Sequence, residues 1–225
     1  MNGLLKTSEL NSIDDISTGM LIISQPNTPG QAQILGVVEE ANRVAGQFEK
    51  RRISSRMLVD RDGTVKDVLK AMEFFSSIHL ACHASQNTTS PLKSSIHLYD
   101  GPLELSEIMK KNFSISNFAF LSACETSTAD RNLPEEVVHL AAGMLAAGYR
   151  SVVGTMWSIV DQHGGDIAEF FYQSLLDDYG TSEWSRINGT GAARALDRAV
   201  QRFREKVSDS PEFLLVWVPY IHLGV

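Results

Sequence analysis

Two hydrophobic runs organise the chain, and each closes on a reactive side chain. Ser77-Ile78-His79-Leu80-Ala81-Cys82-His83 is the first, and Asn117-Phe118-Ala119-Phe120-Leu121-Ser122-Ala123-Cys124 is the second. Each reads as a buried strand of about six residues ended by small or polar residues, the pattern of a parallel sheet covered on both faces. Met20-Leu21-Ile22-Ile23-Ser24 is a shorter apolar strand. It stops in Gln25-Pro26-Asn27-Thr28-Pro29-Gly30, where the prolines and glycine forbid continuation. Leu35, Val38, Ala41, Val44, Ala45 and Phe48 then recur at helical spacing and predict a helix over 34–48.

The alternation continues to the end of the chain. Arg56-Met57-Leu58-Val59 is a weak second strand, and Asp62-Gly63 is a turn. Thr64 suits the N-cap of a helix carrying Val68, Leu69, Met72 and Phe75. Ile96-His97-Leu98-Tyr99, the turn Asp100-Gly101 and Leu103-Glu104-Leu105 predict a β-hairpin inserted in a crossover, with a helix over 106–112 after it. Pro134 with Glu135 and Glu136 opens another helix, whose small residues (Ala141, Ala142, Gly143, Ala146, Ala147) let it lie close on a sheet until Gly148 stops it. Ser151-Val152-Val153-Gly154-Thr155 is a further strand, and helices follow over 162–176 and 192–206. The tail 213–225, rich in aromatic and β-branched residues, is expected to pack as a last strand. Strands and helices in alternation predict an α/β fold with a mostly parallel sheet. With no repeat or interior linker, one domain over 20–225 follows a lead-in segment over 1–19.

Composition narrows the function. A chain of 225 residues can bury a full core, and its net charge of −7 speaks against a general nucleic-acid binder. The run Lys50-Arg51-Arg52 reads either as a localisation signal or as a solvated helix end whose cations complement the dipole. Cys82 and Cys124 are the only cysteines, both in expected strands, and the start of the chain is polar. A reducing, cytoplasmic or nuclear setting is expected, without secretion or a membrane span.

In open parallel sheets, chemistry sits beyond the carboxyl ends of the strands, where His83 and Cys124 fall. A thiol is partly ionised near neutral pH, and a nearby imidazole raises that fraction, so the two form the minimum of a cysteine nucleophile with a histidine base. Cys124 as an ordinary small core residue is the alternative. The 41-residue spacing allows a right-handed crossover between adjacent parallel strands. The backbone N–H groups of Cys124 and Ala84 would supply the donors for an oxyanion. The chain has no nucleophile elbow, Walker loop or Cys-x-x-Cys, and Gly189-Thr190-Gly191 is a turn. Zinc held by His79, Cys82, His83 and Cys124 is disfavoured, because His79 and Cys82 fall on opposite faces of their strand.

These residues carry a family resemblance. His79-Leu80-Ala81-Cys82-His83-Ala84-Ser85, Leu98-Tyr99-Asp100-Gly101 and Leu121-Ser122-Ala123-Cys124-Glu125-Thr126 resemble the CHAT domain, a caspase-like, separase-related cysteine peptidase domain of clan CD. The likeness continues through His139-Leu140-Ala141-Ala142-Gly143, the segment from Gly148 to Trp157, Asp161, Phe170-Phe171-Tyr172 and Trp217-Val218-Pro219-Tyr220-Ile221, and is similar above all to fungal members associated with tetratricopeptide repeats. The resemblance implies a three-layer α/β/α caspase-like fold with His83 and Cys124 as catalytic dyad. It implies a cysteine endopeptidase acting through a thioester acyl-enzyme on protein or peptide substrates, with no metal or other cofactor. A regulatory repeat domain or partner protein is also implied. Family members commonly have glycine after the histidine, where this chain has Ala84; alanine keeps the N–H but not every glycine conformation.

Two further readings stand beside the peptidase. One is a catalytically weak or inactive CHAT-like module acting as a protein-interaction scaffold; the other is a different cysteine chemistry on small substrates. A substrate pocket would be framed by residues 24–30, with Gln25 among them, and by residues 156–161. Asp161 would meet a basic side chain there, or else cap the helix beginning near Gln162. Trp157 is a pocket wall or a core aromatic, and Glu125 is a second acidic candidate.

Overall fold

The computed structural model of the protein describes residues 19–87, 89–111, 113, 116–125, 137–156, 161–179, 191–207 and 211–225. At 123–125, 137–139, 161–163, 179, 211 and 212 it describes the backbone alone.

Among the described residues, eight strands form one sheet: β1 (Met20–Ser24), β2 (Ser55–Val59), β3 (Ser77–Ser85), β4 (Ser95–Leu98), β5 (Gly101–Glu104), β6 (Phe118–Glu125), β7 (Ser151–Thr155) and β8 (Tyr220–Gly224). The order is β2-β1-β3-β6-β7-β8. Neighbours are parallel except β8, which runs antiparallel to β7 along one edge. The β4–β5 hairpin pairs with the end of β3 through Ala84↔Ile96 and Ser85↔Ser95, in the crossover where the turn Asp100-Gly101 predicts it.

Seven helices accompany the strands among the described residues: α1 (Gly36–Lys50), α2 (Val65–Met72), α3 (Leu105–Lys111), α4 (Val137–Ala146), α5 (Asp161–Tyr179), α6 (Ala192–Lys206) and α7 (Pro211–Trp217). Successive strand residues face opposite sides, so the apolar runs divide into two cores. Met20, Ile22, Phe118, Phe120 and Val153 meet α1, α5 and α6 on one side. Leu21, Ile23, Ile78, Leu80, Cys82, Leu121 and Val152 meet α2, α3 and α4 on the other. This is the three-layer α/β/α arrangement. His79 packs against Phe120 and Tyr172 on the first side while Cys82 lies in the second core, which keeps them out of a common metal site.

Local chemistry sets the ends of the elements. The Thr64 hydroxyl accepts the Asp67 N–H at 3.2 Å and caps α2. Gly148 takes φ of +108° beyond α4, a conformation glycine adopts without strain. Gly143 packs against Leu105 of α3, where an added Cβ would meet that side chain at 2.5 Å, so this small residue lets α4 approach its neighbouring helix closely. The helix expected to open at Pro134 is described only from Val137, and residues 134–136 lie outside the described residues. Two expectations need correcting. The helix carrying Val68 stops at Met72, and Phe75 reaches the core from the turn beyond it. The tail is not one strand: α7 occupies its first half, and β8 begins only at Tyr220. Pro211 suits the first turn of a helix, and Phe213, Val216 and Trp217 repeat at helical spacing on its packed side, while Leu214 and Leu215 face solvent.

The side of the sheet under α1, α5 and α6 is tied by both rings and charges. Phe118 and Phe171 stack with centroids 5.4 Å apart, and Phe171 and Tyr172 meet edge to face at 5.1 Å. Asp166 of α5 accepts from Arg43 of α1 at 2.6 Å and from Lys206 of α6 at 2.8 Å. Burial pushes the Asp166 carboxyl up, but Lys206 and Arg43 outweigh it and hold the group below its ordinary range. Phe171 is fully buried at the centre of the aromatic cluster. Phe171→Ala is expected to cost about 3–5 kcal/mol of stability, read by urea denaturation, with no change in the order of the sheet.

Candidate active site

β3 and β6 are neighbours, and their register runs in parallel from Ser77↔Phe118 to Ala84↔Glu125, with His83 the partner of Cys124. Adjacent strands lie about 4.8 Å apart, and residues level in a parallel ladder share a face. Steps of two back from position 83 reach Ala81 and His79, and from position 124 reach Ser122 and Phe120. His79 and Phe120 stack at 5.1 Å on the side covered by α1 and α5. Positions 83 and 124 therefore belong to that face, at its carboxyl end.

The His83 ring is 4% exposed, and its Nε2 lies 2.7 Å from the Ala32 carbonyl oxygen. A carbonyl only accepts, so Nε2 carries a proton and donates. In the neutral ring the basic lone pair then falls on Nδ1. Nδ1 is buried and has no hydrogen-bond partner among the described residues. A ring nitrogen left without a partner, in a ring oriented by a third group and level with a cysteine position, is the arrangement that a base and its orienter would need beside a nucleophile.

Residues 25–35 hold the Ala32 carbonyl in place. The Gln25 N–H donates to the Ala81 carbonyl, and the Ile34 N–H to that of Pro26, both at 3.0 Å. Asn27 donates to the Asp60 carboxylate from its backbone N–H at 3.0 Å and from Nδ2 at 2.9 Å. Gln33 Nε2 donates to Asn27 Oδ1 at 2.8 Å. Gln31 Nε2 lies 3.4 Å from His97 Nδ1, and His97 Nε2 lies 2.9 Å from the Ser85 hydroxyl. Asp60 has φ of +45°, a conformation that costs a residue with a side chain about 1–3 kcal/mol. It is held there because its carboxylate takes Asn27 while its carbonyl takes Gln25 Nε2 and the Gly63 N–H.

The other candidates fall in different places. Gln25 is fully buried, and its Nε2 donates to the carbonyls of Asp60 and Gly63 at 3.2 and 3.0 Å, a tie between the ends of β1 and β2. Ala84 lies inside β3 between Ile96 and Glu125. Among the described residues only Arg52 and Asp60 have positive φ without being glycine, so alanine at 84 imposes no backbone strain. Glu125 is the last residue of β6, and Asp161 is the first residue of α5. Trp157 lies outside the described residues. The sequence reading missed Ala32, Asp60 and Glu40. A backbone carbonyl and a strained φ leave no mark in a sequence. Glu40 does leave one: it is a carboxylate inside the apolar stripe of Val37, Ala41, Val44 and Phe48.

The family model of the CHAT domain matches residues 3–225. The chain belongs to that family. Among solved structures it resembles the Arg specific cysteine proteinase gingipain R (RGPB), with a TM-score of 0.58 and 12% sequence identity over 95% of this chain. The match covers 48% of the gingipain chain, so this CHAT domain spans about half the length of that structure, and the likeness is one of fold. Comparison with curated proteins finds no match. Among the described residues no helix is long and apolar enough to cross a membrane, and no group of three or more His, Cys, Asp or Glu is placed to hold a metal ion.

One titration follows from this geometry. Burial, and after it the charge of neighbouring His83, lowers His97 below the ordinary histidine value of 6.5. The unfolded chain then takes up the proton more readily than the folded one, so this group removes stability as pH falls below about 6.5. His222, lowered by its own burial, acts in the same direction. His97→Gln is expected to lose less stability than the wild type between about pH 6.5 and 5, measured by denaturation at each pH.

Proposed function

We propose that this CHAT domain is a cysteine endopeptidase in which Cys124 attacks the scissile carbonyl and His83 takes the thiol proton through Nδ1. The observation that carries the reading is the pairing of position 124 with a histidine whose other nitrogen is committed to the Ala32 carbonyl. The thiolate forms a thioester with the acyl half of the substrate, the proton on His83 passes to the leaving amine, and water then hydrolyses the thioester. The Cys124 N–H is the first candidate oxyanion donor. The Ala84 N–H, bracketed by Ile96 and Glu125, serves only if the ladder opens at its end. Trp157, Glu125 and Asp161 are the candidate contacts to a protein or peptide substrate. Activation by an adjacent domain or partner, and a reducing cytoplasmic or nuclear setting that keeps Cys124 a thiol, belong to the same proposal.

The burial of His83 to 4% exposure favours a second reading, a catalytically weak CHAT-like module that acts as an interaction scaffold. A thiol-reactive peptide electrophile separates the two even in a latent enzyme. The peptidase reading expects labelling at Cys124 that depends on His83. In cleavage of a peptide library it expects no turnover by Cys124→Ala and a kcat/KM lowered about 10²–10⁴-fold in His83→Gln. Equal turnover by wild type and Cys124→Ala, or labelling indifferent to His83, would remove it.

A further inference from the structure

Beneath the candidate dyad, on the same face of the sheet, polar groups replace the expected apolar core. Glu40 of α1 is 4% exposed. Its Oε2 accepts from the Ser122 hydroxyl at 2.9 Å, and its Oε1 lies 3.3 Å from His79 Nε2. That second approach is close but not aligned as a hydrogen bond, so it acts through charge and dipole rather than direction. His79 is fully buried, with Nδ1 3.1 Å from the Tyr172 hydroxyl. The chemistry proposed for Cys124 uses none of these groups, yet a buried carboxylate is costly unless its contacts are satisfied.

Their place in the chain suggests what they do. Ser122 stands two residues before Cys124 in β6, and His79 stands four before His83 in β3. One carboxylate thus touches both strands that carry the dyad. It does so from the helix that follows residues 25–35, the segment whose Ala32 carbonyl accepts from His83. The remaining grip of α1 on the sheet is mostly apolar, through Ala41, Val44 and Phe48, and such contacts are non-directional. Ser24 Oγ adds one bond, to the Val37 carbonyl at the start of the helix.

We propose that Glu40 is a positioning residue for His83: held by Ser122 and His79, it sets the depth and rotation of α1, and through α1 the Ala32 carbonyl that fixes the His83 tautomer. The catalytic consequence rests on the peptidase reading. The ring state of His83 is readable without any turnover.

The test uses the full chain with two readouts: imidazole nitrogen NMR of His83, and the rate of Cys124 alkylation by iodoacetamide. The wild type is expected to show the Nε2–H tautomer alone. In Glu40→Gln, which keeps the shape and removes the charge, the Nδ1–H tautomer appears and His83-dependent alkylation slows by about tenfold to a hundredfold. Ser122→Ala, which cuts one arm, shifts both readouts the same way by less, and carries the test if Glu40→Gln does not fold. Val44→Ala loosens the same helix without touching the carboxylate; it is expected to melt earlier with the His83 tautomer unchanged. An unchanged tautomer in both Glu40→Gln and Ser122→Ala, or an equal shift in Val44→Ala, would overturn the proposal. Wild-type alkylation indifferent to His83 would instead count against the peptidase reading, and the tautomer would still decide the role of Glu40.

Discussion

Parallel pairing of β3 with β6 brings positions 83 and 124 level, and the surrounding structure keeps them so. The register runs unbroken from Ser77↔Phe118 to Ala84↔Glu125, and a slip of one residue would send one member of the pair to the opposite face. The apolar residues that alternate along both strands guard against that slip. Phe118 and Phe120 must reach the aromatic cluster of Phe171 and Tyr172, while Ala119 and Leu121 must reach the core under α4. Packing on both faces thereby fixes the register that sets positions 83 and 124 side by side.

His83 illustrates an exchange of exposure for orientation. The ring is 4% exposed, and the Ala32 carbonyl occupies Nε2, which leaves Nδ1 as the nitrogen without a partner among the described residues. The segment that carries Ala32 is itself braced, by the strained Asp60 on one side and by Gln31 against His97 on the other. In the proposed peptidase, a base held this way would need no reorientation at the moment of reaction.

The sequence was most informative where periodicity and burial agree. The apolar runs ending at His83 and Cys124, the hairpin around Asp100-Gly101 and the cap at Thr64 were legible because each rests on local chemistry that tertiary packing does not contradict. The tail misled, because its aromatic and β-branched content suits a strand and a buried helix alike. Only the Pro211 start and the spacing of Phe213, Val216 and Trp217 distinguish the two. The partner of His83 was not legible at all, since a main-chain carbonyl contributes through position and not identity. Gln25 was legible as a residue at a strand end, but its buried amide serves the backbone of Asp60 and Gly63.

The most direct measurement is the distance between Cys124 Sγ and His83 Nδ1 in a crystal structure of the protein with its thiol unmodified. The account requires the sulfur on the α1–α5 face, about 3–6 Å from Nδ1 once loose apo geometry is allowed for, with a solvent path to both atoms. A sulfur turned into the core beside Leu121 and Met144, or an Nδ1 sealed from solvent on every side, would contradict it.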